Sequence, residues 1–428
     1  MVTSGLKHRS QGKRTPMAQR VLILIEGSKF GNGLLYVQAA RSLGLHPITL
    51  STDPARYEYL GTEGLESIHV DTGNLEALIH VCSRLRSTYD IAGITGFPNP
   101  GESVLATVGK LCGYFGLPGP NPASIEQCCD KFTQRQLLAE AGVPIPAYRL
   151  AANAGDVKRA TAEIGLPVIL KPAVGCGSSG VRLCRTVDEV AEHTRHLLGG
   201  THIWRSSPRI LVEEFVQGRH YTAQIMGKEV IGITTSDFGP PPHFVYRQFT
   251  FPAPLAAEER ERIEKVALSS LQALGLGWGP TNVELRLTKR GPVVIEVNPR
   301  MAGTPDPELV QLAYGIDLVT EHVKLVTGDE RNSRKLHAHT AAARILVPDR
   351  DGTLDWTDGP SRAAAIPGVA EVKLYVKPKT PIVRKGDDRD WIGYIIATSP
   401  SLAQTEAILQ SAVDLIGCSI TPFPTLDE

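Results

Sequence analysis

Apolar and polar positions alternate in two neighbouring stretches, Asn282-Val283-Glu284-Leu285-Arg286-Leu287 and Val293-Val294-Ile295-Glu296-Val297-Asn298. Successive side chains of a strand point to opposite faces. In the second stretch this puts Glu296 and Asn298 on one face and Val293, Ile295 and Val297 on the other. Thr288-Lys289-Arg290-Gly291 between them has the make-up of a hairpin turn. The pattern predicts an antiparallel pair with Glu284 beside Glu296, one face core and the other a site.

The same reading applied from the start of the chain predicts an open α/β unit. Val21-Leu22-Ile23-Leu24-Ile25 is a buried-strand run, followed by the glycine-rich loop Glu26 to Gly33, a helical stretch from Leu34 to Leu43 and a second strand at Pro47 to Leu50. The loop lacks the G-x-G-x-x-G spacing of a dinucleotide site, so it reads as a turn that lets a helix pack closely on a sheet. Strands near Ser67 to Val70 and Ile91 to Gly96 alternate with helices up to the proline-rich Leu117 to Pro122. From Ser124 a helix carries Asp130, Lys131 and Arg135. Leu166 to Pro172 is then a short apolar strand that delivers Lys171, and the loop Gly175-Cys176-Gly177-Ser178-Ser179-Gly180 follows it directly. Such a loop offers backbone N–H groups to phosphates, though it lacks G-K-[ST] and no helix follows it. A flexible hairpin tip has the same composition. Arg209 to Val216 is another strand, Tyr221 to Ile225 and Glu229 to Thr234 a hairpin, and Ala256 to Leu274 an amphipathic helix. Beyond Ala338 the pattern changes to short strands with a closing helix, which reads as a separate α+β unit.

Composition narrows the function classes. The 428 residues carry 45 Lys plus Arg against 45 Asp plus Glu, so no net field draws nucleic acid or an anionic membrane. The longest apolar runs have strand length, too short for a membrane span. The polar, basic residues 1–18 lack the apolar run of a signal peptide and read as a disordered tail. Seven scattered cysteines with no C-x-x-C read as reduced thiols in the cytoplasm.

Two carboxylates and an amide oxygen, all hard ligands, suit Mg²⁺, with Mn²⁺ as a substitute. Arg300 follows two residues after Asn298, and its guanidinium can hold a phosphoryl group or an oxyanion in a bidentate fork. A solvated hairpin with exposed charges would show the same local residues.

Taken in order, Asp130-Lys131, Lys171-Pro172 with Gly175 to Gly180, Glu213-Glu214-Phe215-Val216, Glu284, and Glu296-Val297-Asn298-Pro299-Arg300 resemble the ATP-grasp ligases from about residue 19 to the end. The resemblance implies a multidomain α/β and α+β fold. Residues 19–122 would form an N-terminal open parallel α/β domain, 123–338 the ATP-grasp domain with a lid at about 143–212, and 339–428 a small C-terminal α+β domain. It further implies that Lys131 and Lys171 hold ATP phosphates and that Gly177, Ser178 and Ser179 close over them. Glu213, Glu214, Phe215 and Val216 would line the adenine, with His220 at the ribose. Glu284, Glu296 and Asn298 would take one or two Mg²⁺, and Lys171 and Arg300 would serve the phosphoryl and acyl steps.

Within the superfamily the chain is similar to the L-amino-acid ligases, through His243-Phe244-Val245 with Phe251 to Leu255, Pro307 to Val310 with Gly315 to Leu318, and Ile366 to Val369. The partners so implied are a small carboxylic acid and an amine, with a homodimer as the assembly. These ligases usually carry a glutamate and, three residues on, a histidine where this chain has Tyr246 and Phe249. The expectation is that one substrate is not a simple free amino acid, with Tyr246, Arg247, Phe249, Arg286, Arg300 and Gly303 as substrate contacts. Two other readings remain at this point: a carboxylase using ATP and bicarbonate, suggested by Arg219-His220, and a non-catalytic nucleotide-binding scaffold.

Overall fold

The computed structural model describes residues 18–28, 32–98, 101, 103–200 and 208–424. Apart from Ala18 the expected tail, residues 1–18, lies outside them, as do Lys29, Phe30 and Gly31 of the first glycine-rich turn.

The first unit is a parallel sheet of β1 (Arg20–Ile25), β2 (His46–Ser51), β3 (Glu66–His69) and β4 (Asp90–Gly96), in the order β3-β2-β1-β4. Val21, Ile23 and Ile25 are buried against the helices Leu75–Arg86 and Ser103–Phe115. Leu22 and Leu24, on the other face, join a core with the helices Asn32–Ser42 and Leu318–Thr327. A strand buried on both faces is why its sequence is a continuous apolar run. Glu26 at the end of β1 accepts from Ser51, Thr52, Tyr57 and Thr72 and acts as a structural anchor.

The second unit is a four-stranded sheet of β5 (Tyr148–Ala151), β6 (Val168–Pro172), β7 (Arg182–Cys184) and β8 (Ile210–Glu214), in the order β5-β8-β6-β7. Val168, Leu170, Ile210 and Val212 pack under the helices Ala154–Ile164 and Val187–Gly199. The strand period of two then turns Ile169, Lys171 and Glu213 to the opposite face.

The large sheet holds β9 (Arg219–Met226), β10 (Glu229–Phe238), β11 (Tyr246–Phe251), β12 (Pro280–Thr288), β13 (Gly291–Asn298) and β14 (Thr340–Leu346). The last segment contributes β15 (Gly352–Asp358), β16 (Val369–Leu374), β17 (Pro381–Ile382), β18 (Gly393–Ser399) and β19 (Gly417–Thr421). The order β13-β12-β9-β10-β11-β14-β18-β16 runs without a break across residue 338, while β17-β15-β19 form a small sheet apart. The terminal segment, expected as a separate unit, is thus built into the same sheet by the pairing of β11 with β14. One core joins Phe249 and Phe251 to Ala341, Ala343, Tyr394 and Ile396.

Two local differences from the sequence reading shape the cleft. The helix from Ser124 is two helices, Pro122–Cys128 and Lys131–Glu140, because the Asp130 carboxylate caps the second by accepting from Thr133 N at 2.9 Å. The hairpin pairs Glu284 with Glu296 as expected, but the register slips between Glu284 and Leu285, leaving Ile295 as an extra residue in β13. A bulge shifts the phase of the strand. Val294 and Val297 therefore share the core face with the helix Ala257–Ala273, and Ile295 lies on the cleft side.

Arg135, fully buried on the Lys131–Glu140 helix, links the two sheets. Its Nε donates to Glu213 Oε1 at 2.6 Å and its Nη2 to the carbonyl of Ile295 at 2.5 Å. Removing one partner of a buried, hydrogen-bonded ion pair costs about 3 kcal/mol or more. Arg135→Leu is expected to lower the denaturant midpoint accordingly in an equilibrium unfolding titration, and an unchanged midpoint would show that the link carries no stability.

Candidate functional site

The exposed face of the second sheet, one face of the large sheet and the loop after β13 enclose a cavity of about 520 Å³. Strand periodicity delivers its wall. From β9 come His220 and Thr222, and from β12 Asn282, Glu284 and Arg286, while Tyr221, Ala223, Val283 and Leu285 go to the core beneath. The register pairs His220 with Arg286 and Thr222 with Glu284, so these side chains are neighbours on one face.

Three cations and two carboxylates meet at one end. Lys131 Nζ lies 3.0 Å from Glu296 Oε1 and donates to the carbonyl of Gly175 at 2.5 Å. Lys171 Nζ lies 2.6 Å from Glu213 Oε2, whose other oxygen takes Arg135. Burial pushes the Glu213 carboxyl up, yet Arg135 and Lys171 together hold it below the usual carboxylate range, so it stays ionised. Burial also pulls the Lys171 ammonium below its ordinary value, against the attraction of Glu213. The expected lysines and glutamate thus converge, and Arg135 completes a network that the sequence reading left without a role.

The paired carboxylates of the hairpin are held differently. Glu284 Oε2 faces His220 Nε2 at 3.3 Å, and its Oε1 accepts from Asn298 Nδ2 at 3.3 Å. Burial raises the Glu284 carboxyl, but the His220 contact and the charges of Arg300 and Lys131 bring it below its ordinary value. Asn298 Nδ2 also donates to Asn282 Oδ1 at 3.0 Å, which leaves its own Oδ1 outside these bonds. Among the described residues no cluster of three His, Cys, Asp or Glu could hold a metal alone. Two carboxylates and an amide oxygen still fit Mg²⁺, which keeps waters and takes its remaining positions from substrate phosphates. His220, expected at the ribose, makes its visible contact with Glu284. Register explains this, since the two residues are diagonal neighbours on β9 and β12.

Gly175 to Ser179 line the mouth. Gly177 has φ +65°, which favours glycine, and a Cβ there would press on the Asp388 carboxylate, so a substitution would displace that side chain. The Asp388 N–H donates to the Gly177 carbonyl at 3.3 Å. Burial, with Asp387 beside it, pushes the Asp388 carboxyl up to about 6. Glu214, Phe215 and Val216 line the far end, where Glu214 already spends its N–H on the carbonyl of Ala147.

The residues expected to meet substrate separate into two groups. Tyr246 and Phe249 both line the cavity, stacked at 4.8 Å between centroids, because the register of β10 against β11 slips at Arg247 and brings positions three apart to one face. Phe238 and Trp391 extend this aromatic wall, and Arg300 and Gly303 stand near it on the loop. Arg247, the bulge residue, is absent from the wall, and its Nε packs where a Cβ on Gly239 would stand, 2.9 Å away. The expected contact between Arg247 and a substrate carboxylate therefore has no geometric support. Arg286 lines the cavity, but its guanidinium is enclosed by Phe215, Phe238 and Phe244, each at 5.7 Å, and donates to the carbonyl of Gly218 at 2.9 Å. Tyr375, Asp388, Arg389 and Trp391 come from the terminal segment, which the sequence reading had left without a part in the site. No local motif marks them. Asp306 was within reach of the sequence, as an acidic residue opening a helix just after the Arg300 loop.

Residues 130–333 match the family model described as carbamoyl-phosphate synthase L chain, ATP binding domain, and residues 344–420 match L-amino acid ligase C-terminal domain 2. An uncharacterised protein of Sinorhizobium fredii, y4rH, is 59% identical over 410 residues, covering 96% of this chain and 85% of that one. Carnosine synthase 1 of Homo sapiens is 32% identical over 249 residues, 53% of this chain, which spans only 30% of that relative's length. The solved L-amino acid ligase of Bacillus licheniformis superposes with a TM-score of 0.75 at 19% identity, over 95% of this chain and 100% of that one, a likeness of fold. The two matched domains, in this order, show the family: the chain belongs to the ATP-grasp ligases and carries the C-terminal domain of the L-amino acid ligases.

Proposed function

We propose that the protein joins a carboxylic acid to an amine at the expense of ATP, releasing ADP and phosphate. The observation that carries this reading is the convergence of Lys131, Lys171, Glu284, Glu296, Asn298 and Arg300 on one cavity that also has a glycine loop at its mouth. Lys131 and Lys171 hold the phosphates as point charges, and Gly177, Ser178 and Ser179 cover them with backbone N–H groups. Glu214 and Val216 read the adenine edge with backbone groups, Phe215 flanks it, and His220 orients Glu284. Glu284, Glu296 and Asn298 would hold Mg²⁺, which when bound neutralises charge between the β- and γ-phosphates. The acid's carboxylate oxygen takes the γ-phosphoryl group in line, which gives an acyl phosphate. Attack by the amine then expels phosphate, and Arg300 stabilises the oxyanion of that step.

Tyr246 and Phe249 stand where the related ligases usually carry a glutamate and a histidine, and with Trp391 they offer an apolar wall. The acid is accordingly one with a bulky apolar or aromatic portion, and one substrate is not a simple free amino acid. A carboxylase taking bicarbonate is the second reading, supported by Arg219-His220; the aromatic wall beside Arg300 favours a larger acid over so small an anion. The work is expected in the cytoplasm, by a homodimer. Among the described residues no helix is long and apolar enough to cross a membrane.

A colorimetric phosphate assay over pairs of acids and amines, repeated with bicarbonate, tests the reaction. Acid- and amine-dependent release is expected, bicarbonate-dependent release would favour the carboxylase, and no release with any mixture would refute an enzyme. Glu296→Gln should abolish ADP formation with an unchanged circular dichroism spectrum, and near-normal turnover would overturn its placement. Trp391→Ala should raise the KM for the acid about tenfold, as expected for losing part of an apolar pocket, and leave that for ATP unmoved. A change confined to the KM for ATP would move the wall to the nucleotide end.

A further inference from the structure

The mechanism above gives no role to Asp306, a buried carboxyl of the cavity wall. Asp306 opens the helix Asp306–Tyr314, is 6% exposed, and lines the cavity together with Glu284, Arg300, Gly303 and Tyr246. The Thr234 hydroxyl donates to Asp306 Oδ1 at 2.6 Å, and the Gln224 amide donates to Thr234 Oγ1 at 3.4 Å. These two residues on β10 and β9 fix the carboxyl in position. The backbone N–H of Asp306 donates to the carbonyl of Gly303, three residues after Arg300, which ties the start of this helix to the Arg300 loop.

A carboxylate that opens a helix is commonly there for the helix dipole, which favours the ionised form. This one departs from that pattern. Burial pushes the carboxyl up to about 7, with Glu308 on its own helix and Glu284 on β12 pushing the same way, while Thr234 and Gln224 pull it down. Tyr246 on β11 faces the same space, and Asp306 helps to raise its hydroxyl. A group that changes protonation near neutrality, fixed by Thr234 in the wall of the cavity that Arg300 and Glu284 also line, suits proton transfer better than it suits structure.

We propose that Asp306 is the catalytic residue that receives the ammonium of the incoming amine and takes the proton it must lose to become a nucleophile. This rests on the ligase reading. The freed lone pair attacks the acyl carbon of the acyl phosphate. The bond from that carbon to the phosphate oxygen breaks, and its electron pair leaves with phosphate. The first proton goes to the Asp306 carboxylate, and the second, released from nitrogen after attack, leaves on phosphate. Two anionic patches therefore divide the cleft by charge: Glu284 and Glu296 face the metal and phosphates, and Asp306 faces the amine.

The test compares the wild type with Asp306→Asn under ATP and Mg²⁺, across a panel of carboxylic acids, with two nucleophiles. Hydroxylamine is largely uncharged at neutral pH and reports acyl phosphate as hydroxamate; the common L-amino acids are ammonium ions and report ligation. Asp306→Asn is expected to lose about a hundredfold or more in ligation, the size of a general-base contribution, while hydroxamate formation falls less than about threefold. Ligation by the wild type should rise with pH through a limb near 7 as the carboxyl ionises, and that limb should be missing in the variant. Equal losses with both nucleophiles, or undiminished ligation by the variant, would overturn the role of Asp306. A wild type that yields neither hydroxamate nor phosphate with any acid would overturn the ligase reading itself.

Discussion

The buried trio of Arg135, Glu213 and Lys171 is the constraint on which the rest of the cleft depends. Arg135 and Glu213 have side chains no more than 3% exposed, and Lys171 only 5%. Charges so far from water are costly unless each finds a partner at good geometry. Here the partners come from three places: Glu213 from β8, Lys171 from β6 and Arg135 from the helix that begins at Lys131. Satisfying the charges therefore fixes the second sheet against that helix. The bond from Arg135 to Ile295 and the two bonds between Gln134 and Val297 then fix the helix against β13. Ion pairs hold the second sheet to the helix, and hydrogen bonds together with an apolar contact of Leu138 with the core of Val294 and Val297 hold the helix to β13, so the cationic end of the cavity is preorganised.

Two β-bulges do the finer positioning. At Ile295 the extra residue lets Val294 and Val297 both enter the core, and it leaves Glu296 and Asn298 facing Glu284 and Asn282. At Arg247 a similar slip turns Tyr246 and Phe249 to the same side. In each case the strand gives the cleft side chains that strict alternation would have divided between its faces. One device serves the carboxylates and the other the aromatic wall, and His220 joins them, facing Glu284 at 3.3 Å and packing on Tyr246 at 6.1 Å between centroids.

Much of this was legible in the chain. Period-two alternation located the hairpin and the pairing of Glu284 with Glu296, and the ordered motifs placed Lys131, Lys171, the glycine loop and Arg300 around one site. What escaped shares a physical cause: it depends on partners distant in sequence or on a one-residue slip. A bulge leaves no local mark, so Ile295 was assigned to the core and Arg247 to the site, the reverse of where the phase shift leaves them. Arg286 looked like a free guanidinium, because the three phenylalanines around it come from β8's end, β10 and the loop before β11. Trp391 and Asp388 reach the cavity only because β14 continues the sheet that β11 would otherwise end, a pairing that the change of pattern near Ala338 concealed. Arg135 was seen on its helix, yet nothing nearby announced that Glu213 would lie beneath it.

The central claim is that one cavity holds the nucleotide between two lysines and the metal between two paired strands. It is tested most directly by a crystal structure with Mg²⁺ and a non-hydrolysable ATP analogue. The account predicts a triphosphate against Lys131, Lys171 and the backbone of Gly177 to Ser179, with metal density bounded by Glu284, Glu296 and Asn298. A nucleotide bound outside this cavity, or a bound nucleotide with no metal at the paired carboxylates, would contradict it.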